Sequence, residues 1–171
     1  SEVGGDYYDV LPTEDGCWIG IGDVAGHGLH AGLVMLMVQA GLSALSKTAS
    51  SVSPMALLRV LNGVLFDNIR HRMAQDEHVT LTLMRYYRDG RIVYSGAHED
   101  LIVFRSRDRR CETVPTAGTC MGAMEDVDAF LREDTLTLEP NDLLVLYSDG
   151  ATEARNAKRR QFGVPRLCEQ I

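Results

Sequence analysis

The period of hydrophobic and polar positions changes along the 171-residue chain, and each change marks a different kind of element. Residues 7–11 and 17–21 are short apolar or aromatic runs separated by Pro12-Thr13-Glu14-Asp15-Gly16, a turn composition, which predicts a β-hairpin. From residue 29 to about residue 47 the chain consists of good helix formers. Leu33, Leu36, Met37, Ala40, Ala44 and Leu45 fall there at spacings of three and four, so a mostly buried helix is expected. Ser53-Pro54 supplies an N-cap and a proline at the first helical position. Leu57, Leu58, Leu61, Val64, Leu65 and Ile69 then make the apolar stripe of a second, amphipathic helix.

After His78 the period drops to two. Residues 79–87, the Arg88-Asp89-Gly90 turn, and residues 92–95, 101–104, 111–114 and 129–138 read as an antiparallel meander. Residues 143–147 form a continuous apolar run between Asn141-Asp142 and Asp149-Gly150, the pattern of a central strand buried on both faces. Two strands, two helices, about six strands and a helical tail keep helices apart from strands. That order predicts an α+β layered sandwich of antiparallel sheets flanked by helices, one domain over residues 1–171 with no repeats or linkers.

Composition narrows the class. With 45% hydrophobic and 24% charged residues the chain can bury a core of its own. Its net charge is −7 and its cations are scattered apart from clusters at residues 107–110 and 158–160, which argues against nucleic acid as a partner. The 107–110 cluster reads as a solvated hairpin turn. The longest apolar stretch, residues 33–38, is far short of the ~20 residues of a membrane-spanning helix, and no signal-peptide pattern opens the chain. Cys17, Cys111, Cys120 and Cys168 are widely spaced, without the pairing of a zinc site, and read as reduced thiols of a cytoplasmic protein.

The candidate chemistry lies in carboxylates. A turn centred between Glu14 and Asp15 makes the numbers of facing hairpin residues sum to 29, which sets Asp6 opposite Asp23. Facing carboxylates have β-carbons ~5 Å apart and repel unless something neutralises them, and a divalent cation is the simplest neutraliser. A slip of one residue would turn one of them to the other face. Asp149 ends the most apolar run, a rigid platform for a third ligand, although Asp149-Gly150 taken alone is also an ordinary turn. Hard oxygen ligands without sulfur or a histidine set favour Mg²⁺ or Mn²⁺.

Three stretches carry a family resemblance: Val3-Gly4-Gly5-Asp6-Tyr7-Tyr8-Asp9, Ile21-Gly22-Asp23-Val24-Ala25-Gly26-His27-Gly28, and Tyr147-Ser148-Asp149-Gly150-Ala151-Thr152-Glu153. Together they resemble the SpoIIE/RsbU branch of the PPM phosphatases. Tyr94-Ser95-Gly96-Ala97-His98-Glu99 is similar to that branch's Asn-Ala-Gly-His stretch, and Gly118-Thr119-Cys120-Met121-Gly122 to its glycine-containing loop. The resemblance implies that Asp6, Asp23, the backbone carbonyl of Val24 and Asp149 hold two Mn²⁺ or Mg²⁺ ions. It further implies that a metal-bridging hydroxide hydrolyses phosphoserine or phosphothreonine on a protein, for example an anti-anti-sigma factor in bacterial signalling, under an attached or separate sensory domain.

The family's further metal-binding aspartate beyond the Phe162-Gly163 region has no counterpart before Ile171, and the strand expected before Val3 is missing, so truncation at both ends is expected. Where related phosphatases place an acidic histidine after Asp-Gly, this chain has Ala25. His27, His30, His71, His78 and His98 therefore read as structural, and Gly26 and Gly28 as a tight strand-to-helix turn. Two rivals follow. Gly20-Ile21-Gly22-Asp23-Val24-Ala25 matches a dinucleotide fingerprint, but Asp23 would face the pyrophosphate and two helices stand where a strand belongs. The other rival is a catalytically incomplete partner-switching or scaffold module with the same fold.

Overall fold

The computed structural model describes residues 4–48 and 52–171. Val3, which opens the first acidic motif, lies outside the described residues. The elements run β1 (Asp6–Thr13), β2 (Gly16–Val24), α1 (Leu29–Thr48), α2 (Pro54–Phe66), β3 (Val79–Tyr87), β4 (Arg91–Ala97), β5 (Leu101–Arg105), β6 (Arg110–Val114), β7 (Glu133–Thr137), β8 (Leu143–Val145), α3 (Asp149–Thr152) and α4 (Gly163–Glu169). The chain forms two compact units, one of residues 1–98 and 117–137, the other of residues 99–116 and 138–171.

The first unit is a five-stranded sheet in the order β1-β2-β3-β4-β7, every pair antiparallel, with α1 and α2 on one face. Strand alternation sends Tyr7, Trp18, Val24, Leu81 and Leu83 to that face, where they meet Val34, Val38, Leu42, Leu58, Leu61 and Leu65 in one buried cluster. Glycine is required where the Tyr7 ring lies: a β-carbon on Gly20 would stand 2.8 Å from Tyr7 Cε1. One on Gly22 would stand 2.3 Å from the Thr80 carbonyl oxygen. Both glycines thus serve packing inside β2, which removes the dinucleotide reading of the same motif.

Helix α2 begins as its sequence predicts: Ser53 Oγ accepts from the Ala56 N–H at 3.3 Å and Pro54 stands at the first turn. Glu133 of β7 adds an acceptor for the Met55 N–H at 3.2 Å. The stripe Leu57, Leu58, Leu61, Leu65 and Ile69 is buried, the last through a π-helical turn over Asp67–Arg72, whereas Val64 is exposed. For α1 the expected face is only partly right: Met37 and Leu45 of the predicted stripe pack against the core cluster. Leu33, Leu36, Ala40 and Ala44 are exposed, while Ala31, Val34, Val38 and Leu42 face the core. The helix is apolar nearly all round, so periodicity alone cannot choose its inner side. By length and composition α1 would suffice to cross a membrane, with a mean hydropathy of 1.5 over residues 29–47, but its inner face is part of the buried cluster.

Asn62 fastens a loop onto α2. Its Nδ2 donates to the carbonyls of Met124 and Glu125, both at 3.0 Å, and its Oδ1 accepts from the Gly122 N–H at 2.8 Å. Met121 exchanges backbone hydrogen bonds with Val79, which holds the loop against the start of β3. Strand β7 covers only Glu133–Thr137 of the predicted 129–138, because Phe130 and Leu131 turn back to the Val127 carbonyl.

The second unit holds a three-stranded antiparallel sheet in the order β6-β5-β8, followed by α3 and α4. The expectation of a central strand at residues 143–147 is corrected here. Strand β8 has three residues and pairs with β5 alone among the described residues; Leu143 is half exposed and only Tyr147 is buried. Continuous apolar character marks burial of the neighbourhood and does not separate an edge strand from a middle one. The β5–β6 connection carries the 107–110 cluster at an exposed turn, as expected. Arg105 on β5 bridges Glu112 and Asp142 at 2.8 and 2.9 Å.

Two outcomes are expected. Asn62→Ala leaves the buried Gly122 N–H and the less buried Met124 and Glu125 carbonyls without their side-chain partner and should destabilise the chain by about 2 kcal/mol in urea unfolding; a loss below about 0.5 kcal/mol would mean that water takes over these bonds. Hydrogen bonds from Arg105 and from the Ser106 and Glu139 N–H groups hold the Asp142 carboxyl below its ordinary value near 3.8. A depressed carboxyl stabilises the fold above its ordinary value and loses that contribution as pH falls through the folded value. Asp142→Asn should therefore be less stable than wild type at pH 6, and the gap should narrow below pH 3; a pH-independent gap refutes the assignment.

Candidate metal centre

The site begins with the hairpin. A two-residue turn at Glu14-Asp15 joins β1 to β2, and the observed register pairs Thr13 with Gly16, Tyr7 with Gly22, and Asp6 with Asp23. The constant sum of 29 holds along the whole hairpin, so the register leaves both aspartates on the face away from the helices. Arg85 keeps the turn in place: its buried guanidinium donates to Thr13 Oγ1 at 2.5 Å and to Asp15, and lies 5.1 Å from the Trp18 ring centroid.

Asp6 is exposed and Asp23 is half-buried. The next strand continues the row. Thr80 pairs with Asp23, and its hydroxyl donates to the Asp23 carbonyl at 3.3 Å and lies 2.9 Å from His98 Nδ1. A threonine hydroxyl has one proton. With that proton on the Asp23 carbonyl, the Nδ1–H of His98 is the donor to Thr80 Oγ1. The row Asp6, Asp23, Thr80, His98 thus crosses the ends of four strands, and His98 has the structural role expected of it. Sequence reasoning singled out neither Thr80 nor its contact with His98, because both depend on strand pairings far apart in the chain.

Gly5 adds a second unanticipated feature. A β-carbon built there would stand 2.5 Å from the Val24 carbonyl oxygen and 2.9 Å from Asp23 Oδ1. The two oxygens therefore lie no more than about 5.4 Å apart, both against the Gly5 backbone. Val24 N–H donates to the Gly5 carbonyl at 3.2 Å and Ala25 N–H to the His78 carbonyl at 2.8 Å, which fixes the strand end. Gly26 and Gly28 follow with φ of 97° and 88°, the left-handed turn expected before α1.

Donor chemistry passes the test for a hard cation: two facing carboxylates and a carbonyl, all oxygen, suit Mg²⁺ or Mn²⁺ that keeps several waters. Among the described residues no three His, Cys, Asp or Glu side chains gather round one point, so the first unit by itself offers a two-carboxylate site. Asp149 belongs to the second unit. It is exposed and opens the one-turn helix α3, its carbonyl accepting from the Glu153 N–H at 2.7 Å. Its place four residues past β8, in a helical turn, differs from the strand end expected. His27 is exposed and His30 stands 3.7 Å from Glu77 Oε1 at the start of α1, so neither lies in the carboxylate row.

Comparison with known proteins bears on this geometry. Over 156 residues the chain is 30% identical to the phosphoserine phosphatase RsbU of Bacillus subtilis, covering 90% of this chain and 44% of that protein. The chain thus spans under half the length of this curated relative. The structure of the SiaA-PP2C domain of Pseudomonas aeruginosa superposes with a TM-score of 0.75 at 24% identity, covering 98% of this chain and 65% of that one. RsbX in complex with magnesium gives a TM-score of 0.63 at 12% identity over 98% of this chain and 78% of that one. These likenesses show the fold, an α+β arrangement of antiparallel sheets and helices of PP2C type. The model of the Stage II sporulation protein E family matches residues 13–171, nearly the whole chain, and this protein belongs to the SpoIIE family.

Proposed function

We propose that this chain is a PPM-type protein phosphatase core that hydrolyses phosphoserine or phosphothreonine on a protein substrate in bacterial signalling, with divalent metal ions held by Asp6, Asp23, the Val24 carbonyl and Asp149. The observation that carries the reading is the Asp6–Asp23 pairing beside the Val24 carbonyl. Facing carboxylates destabilise a sheet end, and the sheet keeps them in register all the same. Family membership and 30% identity to a phosphoserine phosphatase support the same reaction. When bound, Mn²⁺ or Mg²⁺ would supply positive charge to polarise the phosphoryl group and lower the pKa of water.

The chain's own residues have distinct tasks in this reading. Asp6 and Asp23 supply the negative charge that retains cations on an exposed sheet end. Gly5 leaves the space between the Asp23 carboxylate and the Val24 carbonyl open. Thr80 and His98 position the Asp23 backbone through hydrogen bonds of 3.3 and 2.9 Å and so act through another residue. The proposed setting is the cytoplasm, with a regulatory domain attached or separate and a phosphorylated protein as partner. One observation favours the second reading, a partner-switching module without turnover: the first unit gathers only two carboxylates.

Thermal unfolding with and without Mn²⁺ separates the two. A cation bound only by the folded state raises its stability, by ~2.7 kcal/mol at one hundred times the dissociation constant. Wild type should gain stability with Mn²⁺ and Asp23→Asn should not, while without metal Asp23→Asn should be no less stable than wild type because a like-charge contact is relieved. A loss of stability in metal-free Asp23→Asn would contradict the repulsive pair. Phosphate release from a phosphoserine peptide should require Mn²⁺ and fall at least about a hundredfold in Asp6→Asn; Mn²⁺ binding without release would favour the partner-switching module.

Gly5→Ala gives an independent check that leaves every ligand in place. Its methyl group would enter the space between Val24 O and Asp23 Oδ1, so Mn²⁺ affinity by calorimetry should fall about tenfold or more, whereas Gly4→Ala, with nothing within 4 Å, should bind like wild type. Equal affinity in Gly5→Ala and wild type would remove Val24 from the ligand set.

A further inference from the structure

Between Ala154 and Arg166 the chain carries five cations, Arg155, Lys158, Arg159, Arg160 and Arg166, and no carboxylate. None of the five takes part in an ion pair among the described residues. Arg155, Arg160 and Arg166 line an open surface pocket of about 200 Å³ together with Ala154, Asn156 and Phe162. That volume is below the range of ~300–1,000 Å³ typical of small-molecule sites and suits a single side chain.

The loop is built, not loose. Asn156 Oδ1 accepts from the Lys158 and Arg160 N–H groups at 2.9 and 3.1 Å, and Arg155 bridges to Gln161. Phe162 N–H donates to the Ala154 carbonyl at 2.8 Å, and Arg166 donates to the Gln161 carbonyl at 3.3 Å. Arg155 and Arg160 are exposed residues that line the pocket. Guanidinium groups held around a pocket and without counter-charge are the chemistry that recognises carboxylates.

We propose that this loop binds an acidic segment of the protein substrate, with an Asp or Glu side chain of that segment in the pocket. The proposal rests on the phosphatase reading for the identity of the partner, but the pocket lies within the second unit and needs no metal. Chain geometry limits the distance. Asp149 and Arg155 are six residues apart in the chain and so at most about 21 Å apart, a distance that an extended peptide of about six residues is long enough to reach across.

Fluorescence anisotropy of labelled peptides tests the proposal. One peptide carries Asp and Glu within six residues of a phosphoserine, one carries Asn and Gln instead, and both are also made without the phosphate. The acidic peptide should bind about tenfold tighter than its neutral counterpart, the sum of a few exposed charge pairs, with or without phosphate, and the gap should shrink at high salt. Arg155→Ala with Arg160→Ala should abolish the preference, while Arg88→Ala, an exposed arginine on the β3–β4 turn of the first unit, should keep it. No preference in wild type, a preference that needs the phosphate, or an equal loss in Arg88→Ala would each overturn the proposal. Absence of metal-dependent turnover would sink the phosphatase reading and leave this equilibrium result standing.

Discussion

The register of the first hairpin is the constraint on which the rest depends. Arg85, reaching from β3, binds both Thr13 and Asp15 and so clamps the turn to the sheet. With the turn fixed at Glu14-Asp15, alternation does the rest: Tyr7 and Trp18 enter the helical core, and Asp6 and Asp23 come out on the other face. A slip of one residue would bury the carboxylates and expose the aromatic rings together, so the free energy of the core enforces the geometry of the site. Core and site are two faces of one pairing, and neither can move without the other.

How legible this was depends on the range of the interactions. The hairpin could be read because its turn lies within a five-residue window and its register follows by arithmetic. The start of α2 could be read because Ser53 and Pro54 are local signals. The inner face of α1 could not, since Leu33 and Val34 are equally apolar and only the sheet beneath selects Val34. The position of β8 could not, since an apolar run carries no mark of how many neighbours it has. Asn62 looks like any polar residue in a helix until the loop 118–125 folds over it, and Thr80 acquires its role from pairings with Asp23 and His98. Of the site, the two facing aspartates were legible in the residues, and Val24 and Asp149 came with the family resemblance.

Charge is unevenly shared between the units. The first holds 15 carboxylates against 8 cations and so the whole net charge of −7; the second holds 9 of each. An acidic sheet end repels a phosphorylated partner at long range, and screening removes that repulsion only beyond about 8–10 Å at physiological salt. Within the second unit the 154–166 cations offset the carboxylates, so that unit carries no such net repulsion.

The same electrostatics bears on the reaction. Asp6 and Asp23 face each other as two negative charges, and a phosphoryl dianion beside them is repelled. In the proposed reading, divalent cations held there would turn that repulsion into attraction at the place where negative charge must be stabilised. Carboxylates suit this task better than histidines would, since they remain charged across the neutral range and so retain cations without depending on pH. In the proposed reading the facing of Asp6 and Asp23 is what would make the sheet end a cation site, and the core beneath, through Tyr7 and Trp18, is what holds the two residues in that register.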